Sequence, residues 1–106
     1  MNIHVRLVDS KVEAFIRSLE KPTIAKVLRT IDLLETFGNT LGAPHSKKVN
    51  ARLFELRIRG QQEVRIFYIF DRGEAVLLHG FIKKSKRIPK KEIETALQKQ
   101  DLLTDR

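Results

Sequence analysis

The spacing of the apolar residues changes part-way along this chain of 106 residues, and the change restricts the folds available to it. Up to residue 37 the apolar side chains recur every three or four positions, as in a helix that buries one face. From residue 51 they alternate with polar side chains, as in a strand with one face in the core. Helices followed by a run of strands indicate an α+β domain.

Two helices are predicted in the first half of the chain. Asp9 or Ser10 can cap the first of them, because a short polar side chain can accept the free backbone N–H groups. The second can begin at Pro22 and end at Gly38 and Asn39. The inward faces are expected to comprise Val12, Phe15, Ile16 and Leu19 in the first helix and Ile24, Val27, Leu28, Ile31 and Leu34 in the second.

The other predicted elements are strands, apart from a final helix. Gly60 and Gly73 mark two hairpin turns, and residues 38–50 are expected to form a loop. Pro89 opens the final helix, whose inward residues are expected to be Ile93, Ala96 and Leu97. The pattern predicts one domain over residues 1–106, in the order β-α-α-β-β-β-α, with a helical hairpin on a mostly antiparallel sheet. The strands are expected over residues 3–7, 51–59, 63–70 and 75–82.

The composition excludes several classes of function. The chain has no Cys, which excludes disulfides, Cys zinc sites and thiol catalysis and fits a reducing cytoplasm. No apolar run approaches the ~18 residues of a membrane span, and the start MNIHVRLVDS has no apolar segment of a secretory signal. The three histidines show no metal-binding spacing, so neither a metal nor another cofactor is expected. They are His4, His45 and His79.

The charge of the chain predicts an anionic partner. The formal net charge is +8, which favours nucleic acid, an acidic protein or a membrane surface. The excess is most concentrated between residues 81 and 91, which contain no acidic residue. The basic residues there are Lys83, Lys84, Lys86, Arg87, Lys90 and Lys91.

The register of the first hairpin brings two arginines together. The apolar residues at even positions must share the core face, because a slip of one residue would turn them outward. A three-residue loop at 60–62 then places Arg57 opposite Arg65, and Arg59 opposite Glu63. The even residues that fix this register are Leu56, Ile58, Val64 and Ile66.

Two arginines that face each other repel, so the pair Arg57 and Arg65 calls for an explanation. One interpretation is that both guanidinium groups bind a phosphate, which they do bidentately. The other is that both are solvated or are paired with Glu55 and Glu63.

The second hairpin allows two arrangements. With Gly73 in a bulged three-residue loop, Arg65 faces His79, and Phe81 and Lys83 lie further along the same face. With a loop of two or four residues, His79 points to the core side. We favour the bulged loop, although a lone His is more often a hydrogen-bonded residue of a sheet.

Aromatic residues near the arginines can stack on bases or fill the core. Tyr68 falls on the core face by the alternation and is expected to be buried. Phe67 and Phe81 fall on the sheet face that carries Arg57 and Arg65, named here the arginine face. This makes them candidates for base stacking, with burial as the alternative.

The start of the final helix carries the wrong charge for a helix terminus. Lys90 and Lys91 follow Pro89, where the helix dipole already presents positive charge. A bound phosphate would compensate this excess of positive charge at the start of the helix. Alternatively, exposed lysines tolerate the small cost, which Glu94 offsets in part.

Residues 53–97 carry a resemblance to a known family. The features are Glu-Leu-Arg at 55–57, Arg65 with Tyr68, His-Gly-Phe at 79–81 followed by two lysines, and Pro89 with Glu92 opening a helix. Together they resemble the C-terminal half of HigB-like toxins in the RelE/ParE superfamily. The first half resembles that family only in its strand and helical hairpin.

The resemblance implies a ribosome-dependent endoribonuclease that cleaves mRNA without a metal ion and inhibits translation in the cytoplasm. It also implies a cognate antitoxin, commonly with a helix-turn-helix domain. The catalytic candidates are Arg57, Arg65, Lys83, Lys84 and His79. The RNA-binding candidates are Lys47, Lys48, Arg59, Phe81, Lys86, Arg87, Lys90 and Lys91.

Two features leave the function open at this point. Some RelE members have a functional Tyr near the C-terminus, whereas Tyr68 is the only Tyr here, so the general acid and base stay unassigned. ParE-like relatives share the fold and inhibit DNA gyrase, and a plain basic nucleic-acid-binding module is a further alternative.

Overall fold

A computed structural model describes residues 2–104; Met1 and residues 105–106 of the predicted domain lie outside this part. Within it, no helix is long and apolar enough to cross a membrane. The elements in chain order are β1 (His4–Leu7), α1 (Ser10–Arg17), α2 (Lys21–Phe37), a 3-10 turn (Gly38–Thr40), β2 (Ser46–Lys48), β3 (Phe54–Ile58), β4 (Val64–Asp71), β5 (Glu74–Ile82) and α3 (Lys90–Thr104).

The strands form one sheet in the order β1-β5-β4-β3-β2. The pair β1–β5 is parallel, and the other three pairs are antiparallel. The parallel pair is possible because α1 and α2 provide the long connection that returns the chain to the same sheet. The predicted α+β class, the mostly antiparallel sheet and the C-terminal helix are confirmed.

Strand β4 lies at the centre of the sheet and is buried on both faces from Val64 to Ile69. Even residues such as Ile66 pack with α1 and α2, as the register predicted, whereas Phe67 and Ile69 pack on the other face with Ala96 of α3. The sheet is therefore covered on both faces, which explains why this strand is a nearly continuous apolar run.

The helical hairpin packs as its spacing predicts, with one exception. Val12 and Ile16 of α1 and Val27 and Leu34 of α2 are buried in the core below the sheet. Leu28 was expected on the same inward face, and this prediction was wrong, because the residue is 53% exposed.

A short strand replaces part of the predicted loop at residues 38–50. Ser46–Lys48 forms β2, which pairs antiparallel with β3 at the edge of the sheet. Its three residues are polar, so no alternation of apolar and polar residues predicts this strand. The hydroxyl of Ser46 lies within hydrogen-bonding distance of the buried Tyr68 hydroxyl, which ties this edge strand to the centre of the sheet.

The second hairpin differs from the favoured prediction. Its loop has two residues, Arg72 and Gly73, both with positive φ (53° and 80°), as two-residue hairpin turns often require. The bulge lies further along, where Phe67 pairs with His79 and Tyr68 with Leu77, so that Leu78 is extra. This shift returns His79 to the arginine face, opposite Phe67 rather than Arg65.

Asp9 joins the first helix to the last. Its carboxylate accepts the backbone N–H groups of Lys11 and Val12 at the start of α1 and lies 3.1 Å from the Lys99 ammonium of α3. Burial opposes ionisation of this carboxyl, but the hydrogen bonds and the charge of Lys99 hold the pKa of Asp9 below its usual value. The predicted cap is confirmed.

Gly80 lets α1 approach the sheet closely, which yields the first prediction. A Cβ at Gly80 would lie 2.5 Å from the ring of Phe15, whereas one at Gly42 would meet nothing within 4 Å. We expect Gly80→Ala to lower the free energy of unfolding by about 1–3 kcal/mol, the usual cost of overpacking. Gly42→Ala is the matched control, and urea unfolding of both variants provides the measurement. Equal stability of the two variants would contradict the close contact, and Phe15→Leu should restore part of the loss in the Gly80→Ala background.

Candidate functional site

The sheet face opposite the helical hairpin brings the predicted site residues into two cross-strand rows. The register aligns Arg57, Arg65 and Phe81 on neighbouring strands in the first row. The second row runs through Lys47, Glu55, Phe67 and His79. Helix α3 covers the part of this face around Phe67 and Phe81.

The predicted pairing of Arg57 with Arg65 is confirmed. The Arg57 N–H donates to the His45 carbonyl on the other side of β3, so Arg57 and Arg65 form a non-hydrogen-bonded pair, the kind whose side chains lie closer together. The predicted pair of Arg59 and Glu63 is not part of the ladder, because the ladder ends at Ile58 and Val64.

A buried glutamate compensates the two facing arginines. Glu55 Oε1 lies 3.1 Å from Arg57 Nε and 3.9 Å from Arg65 Nε, and the Glu55 side chain is 4% exposed. Arg65 Nη1 also donates to Glu63 Oε2 at 3.1 Å and to the Val64 carbonyl. The four side chains Glu55, Arg57, Glu63 and Arg65, named here the charge network, carry two positive and two negative charges.

The two arginines differ in access to solvent. The Arg65 side chain is 4% exposed, whereas that of Arg57 is 24% exposed. Of the two interpretations of the arginine pair, pairing with Glu55 and Glu63 describes Arg65, whose charge is used to hold Glu55 inside the sheet face. Arg57 remains able to contact a ligand while its position is fixed from below by Glu55.

The charge network contains polar atoms without hydrogen bonds. Within the described residues, Glu55 Oε2, Arg57 Nε and Arg65 Nε are buried and have no partner of hydrogen-bond geometry, although the ion-pair distances are short. Such atoms are costly, and folded proteins keep few of them. Their concentration in one cluster marks this face as a candidate site, because local rules are broken most often where function requires it.

His79 is engaged in holding α3. Its Nε2 lies 2.9 Å from Glu92 Oε1, both side chains are about one fifth exposed at 21% and 19%, and its ring stacks on Phe81. Phe67 separates it from Glu55 in the same row, so it stands two strands, roughly 10 Å, away from Glu55. The structure thus gives His79 a positioning role rather than a place beside Arg57.

The aromatic side chains of this face are not free to stack on bases. Phe81 is 5% exposed and packs on Phe67, which is fully buried. The proposed role of Phe81 in RNA binding was therefore wrong, and the alternative of burial is correct for both. Tyr68 lies in the core between the sheet and the helical hairpin, as predicted. Burial raises the pKa of its hydroxyl, and the hydrogen bond with Ser46 only partly offsets this rise.

The remaining predicted cations are exposed or half-buried, and two of them, Lys47 and Lys83, border the cross-strand rows. The Lys83 N–H donates to the Glu63 carbonyl, which continues the rows by one position, and its ammonium donates to the Ser85 carbonyl. Lys47 lies on the same face as Glu55, whereas Lys48 lies on the opposite face, over the ring of Phe54. The other exposed cations are Arg59, Lys84, Lys86, Arg87, Lys90 and Lys91.

Helix α3 begins less anomalously than its sequence suggests. Lys90 and Lys91 are exposed, but the first turn also contains Glu92, whose carboxylate is positioned by His79. No three metal-ligating side chains come together anywhere between residues 2 and 104.

Comparison with known proteins agrees with this geometry. A family model described as phage-derived protein Gp49-like (DUF891) matches residues 14–101, which include the second half of α1, all of α2, the charge network and most of α3. The chain belongs to the Gp49-like family.

A curated relative extends the comparison to a named protein. The Mycobacterium tuberculosis (strain ATCC 25618 / H37Rv) protein named "Putative toxin HigB3" is 41% identical to the Gp49-like chain over 75 residues. The match covers 66% of this chain and 65% of that protein, so it spans slightly less than two thirds of the relative's length. The predicted resemblance to HigB-like proteins is confirmed.

Two solved structures share the fold. Free Escherichia coli toxin RelE, a mutant with two arginines changed to alanine, superposes with a TM-score of 0.69 at 11% identity over 92% of this chain and 97% of its own. A chain of the archaeal RelE–RelB complex from Pyrococcus horikoshii OT3 gives 0.54 at 20% identity over 83% of this chain and 100% of its own. The Gp49-like chain has the RelE fold.

Sequence reasoning missed the two carboxylates that organise the site. Glu55 was considered only as an alternative partner for the arginines. Its odd number nevertheless places it on the same face of the alternating strand as Arg57. Glu92 was noted only as part of a motif, and its contact with His79 depends on how α3 folds back on the sheet.

The charge network yields the second prediction, because its two glutamates differ in burial. Glu55→Gln removes the buried carboxylate between the buried Arg65 and its neighbour Arg57, and we expect it to lower the free energy of unfolding by about 3 kcal/mol. Glu63→Gln is the matched control, because its side chain is 39% exposed, and we expect a loss below about 1 kcal/mol. Chemical denaturation at neutral pH measures both. If the two variants lose the same stability, Glu55 does not act as the buried counter-charge.

Proposed function

We propose that this Gp49-like chain is the toxin of a toxin–antitoxin pair and inhibits translation by cleaving mRNA on the ribosome, in the cytoplasm. One observation carries the proposal: Arg57 is held at the surface by a buried glutamate, within a face bordered by Lys47 and Lys83. The printed name of the HigB3 relative and the RelE fold support the toxin assignment.

The proposed reaction is an attack of the RNA 2′-hydroxyl on the adjacent phosphorus. The new bond joins the 2′-oxygen to phosphorus, the bond from phosphorus to the 5′-oxygen breaks, and a proton passes from the first oxygen to the second through acid and base groups. Negative charge builds up on the phosphoryl oxygens in the transition state, so fixed cations accelerate the step. The reaction needs no metal ion in this scheme, because guanidinium and ammonium groups supply the positive charge.

The proposal gives each predicted catalytic residue a role that is compatible with its contacts. Arg57 contacts the reacting phosphate, and Lys83 and Lys84 contact the phosphates beside it. Arg65 positions Glu55, which in turn positions Arg57. His79 acts as a positioning residue, since it fixes the first turn of α3 and with it the basic segment that precedes that helix.

Arg57 is the residue on which the proposal is tested. Arg57→Ala should reduce mRNA cleavage by about 10²–10³-fold, the usual cost of removing one donor to a developing negative charge. Because this variant also deprives Glu55 of a partner, Arg57→Lys is a second variant that keeps the charge but loses the fork of donors, and we expect it to cleave weakly with stability closer to wild type. Lys11→Ala, an exposed residue of α1, is the control.

Primer extension on mRNA after induction in cells provides the readout. Breaks within translated codons in the wild type and the control, and their loss in both Arg57 variants, are expected. Unbroken mRNA together with linear, cleaved plasmid DNA would replace the proposal with inhibition of gyrase, whereas RNA binding without any cleavage would indicate a binding module.

The proposed partner is an antitoxin that presents an acidic segment. The segment 83–91 carries six basic residues without an acid, and complementary charge gives fast and specific association. An antitoxin that covers Lys83 and Lys84 blocks access of phosphate to Arg57. The solved RelE–RelB complex supports the existence of a protein partner for the fold.

Charge reversal tests where the antitoxin binds. Lys83→Glu with Lys84→Glu should slow association with the purified cognate antitoxin at least tenfold at low salt, because long-range attraction governs the association rate. Leu28→Glu is the comparison, since Leu28 is the exposed apolar residue of a groove on the helical hairpin. Surface plasmon resonance gives both rates. An unchanged rate for the lysine variant with loss of binding for Leu28→Glu would move the contact to the helices.

A further inference from the structure

A second cluster of cations lies beside the charge network, at the edge of the sheet. Strand β2 begins at Ser46, and the Arg57 N–H still donates to the His45 carbonyl, but β3 extends past this last contact to Ile58 and is followed by Arg59, with α2 alongside. A cavity of about 240 Å³ lies between these elements. It is named here the edge pocket, and its charged or titratable lining residues are Lys26, Arg29, His45, Arg57 and Arg59.

The edge pocket has no acidic residue in its lining. Elsewhere in the described residues, arginines such as Arg6 and Arg17 pair with carboxylates, but the side chains of Arg29, His45 and Arg59 make no ion pair or hydrogen bond within residues 2–104. Lys26 uses its ammonium to hold the Arg59 carbonyl at 3.1 Å, which fixes the rim of the pocket. Cations gathered without counter-charges repel one another, and an anion removes that cost.

The walls of the edge pocket strengthen the attraction for an anion. Leu33, Pro44 and Ile58 form apolar parts of the lining between the cations. Apolar walls around charges of one sign focus the field and raise the local concentration of the opposite ion. The volume is below the roughly 300–1,000 Å³ of pockets for complete drug-sized ligands, so it suits a phosphate group with its sugar better than a whole cofactor.

Arg57 connects the edge pocket to the candidate site. It lines the pocket and also belongs to the charge network, and Arg59 follows it by two residues, about 7 Å along the strand. A single strand of RNA that places one phosphate at Arg57 can therefore continue into the pocket with the next.

We infer that the edge pocket binds a backbone phosphate of single-stranded RNA, next to the phosphate that Arg57 contacts. This inference rests on the proposed function, since it assumes that RNA is the ligand of the neighbouring face. Arg29 and His45, which the sequence did not indicate, are the residues that it adds. They lie on different elements of the lining, Arg29 on α2 and His45 just before β2.

Fluorescence anisotropy with a short labelled single-stranded RNA tests the inference. Arg29→Ala and His45→Gln are suitable because neither residue belongs to the charge network, and Lys11→Ala is the control for a lost charge. We expect Arg29→Ala to raise the dissociation constant for RNA about fivefold at low salt. The slope of the logarithm of the binding constant against the logarithm of the salt concentration should fall by about 0.7, the value for one phosphate of a single strand. His45→Gln should weaken binding in the same direction, and the control should match wild type.

The outcomes separate this inference from the proposed function. If wild type binds RNA and Arg29→Ala matches the control in affinity and salt slope, the edge pocket does not hold RNA. If Arg29→Ala and Lys11→Ala weaken binding equally, the effect is one of general charge and the inference fails. If wild type itself does not bind the labelled RNA, the inference about the edge pocket fails, while primer extension decides the proposed function independently. If inorganic phosphate raises the melting temperature of wild type but not of Arg29→Ala, while both proteins bind RNA with the same affinity, the edge pocket binds a free anion and the inference about RNA fails.

Discussion

The burial of β4 on both faces is the constraint from which the rest of the structure follows. Its even residues must pack under the helical hairpin and its odd residues under α3, so both helical layers are required before this strand can be stable in the sheet. Arg65 is the one charged residue in this run of apolar side chains. A buried guanidinium group needs a carboxylate within reach, and Glu55 on the neighbouring strand supplies it.

A buried ion pair of this kind adds little net stability, because the desolvation of two charges cancels most of their attraction. Its consequence here is positional. Glu55 cannot move without taking from Arg65 the buried one of its two carboxylate partners, and Arg57 is held 3.1 Å from the same Glu55 oxygen. A surface arginine would normally sample many rotamers, whereas Arg57 presents its free guanidinium nitrogens from a fixed place. Fixed donors are those that lower a barrier, because they need not reorganise as the charge develops.

The spacing of apolar residues was sufficient to predict the class, the order of the main elements and the pairing of Arg57 with Arg65. It could not predict β2, whose three polar residues depend on the edge of β3, nor the bulge at Leu78, because both choices for the second hairpin satisfy the alternation equally well. It also could not show that α3 covers the second face. That packing buries Phe81 and engages His79 with Glu92, and it changed both residues from ligand-binding candidates into structural ones.

The excess positive charge of the chain is separate from its candidate chemistry. The charge network is neutral by itself, with two arginines and two glutamates, so the net charge of +8 must reside in side chains outside it. Exposed lysines of the segment 83–91, together with Arg29 and Arg59 of the edge pocket, can attract a polyanion from a distance, but no buried carboxylate holds them in one geometry as Glu55 holds Arg57. The network offers a single rigid guanidinium group with little long-range field. Affinity and its dependence on salt therefore belong to the exposed cations, and the rate of the chemical step belongs to Arg57 and the buried carboxylate that holds it.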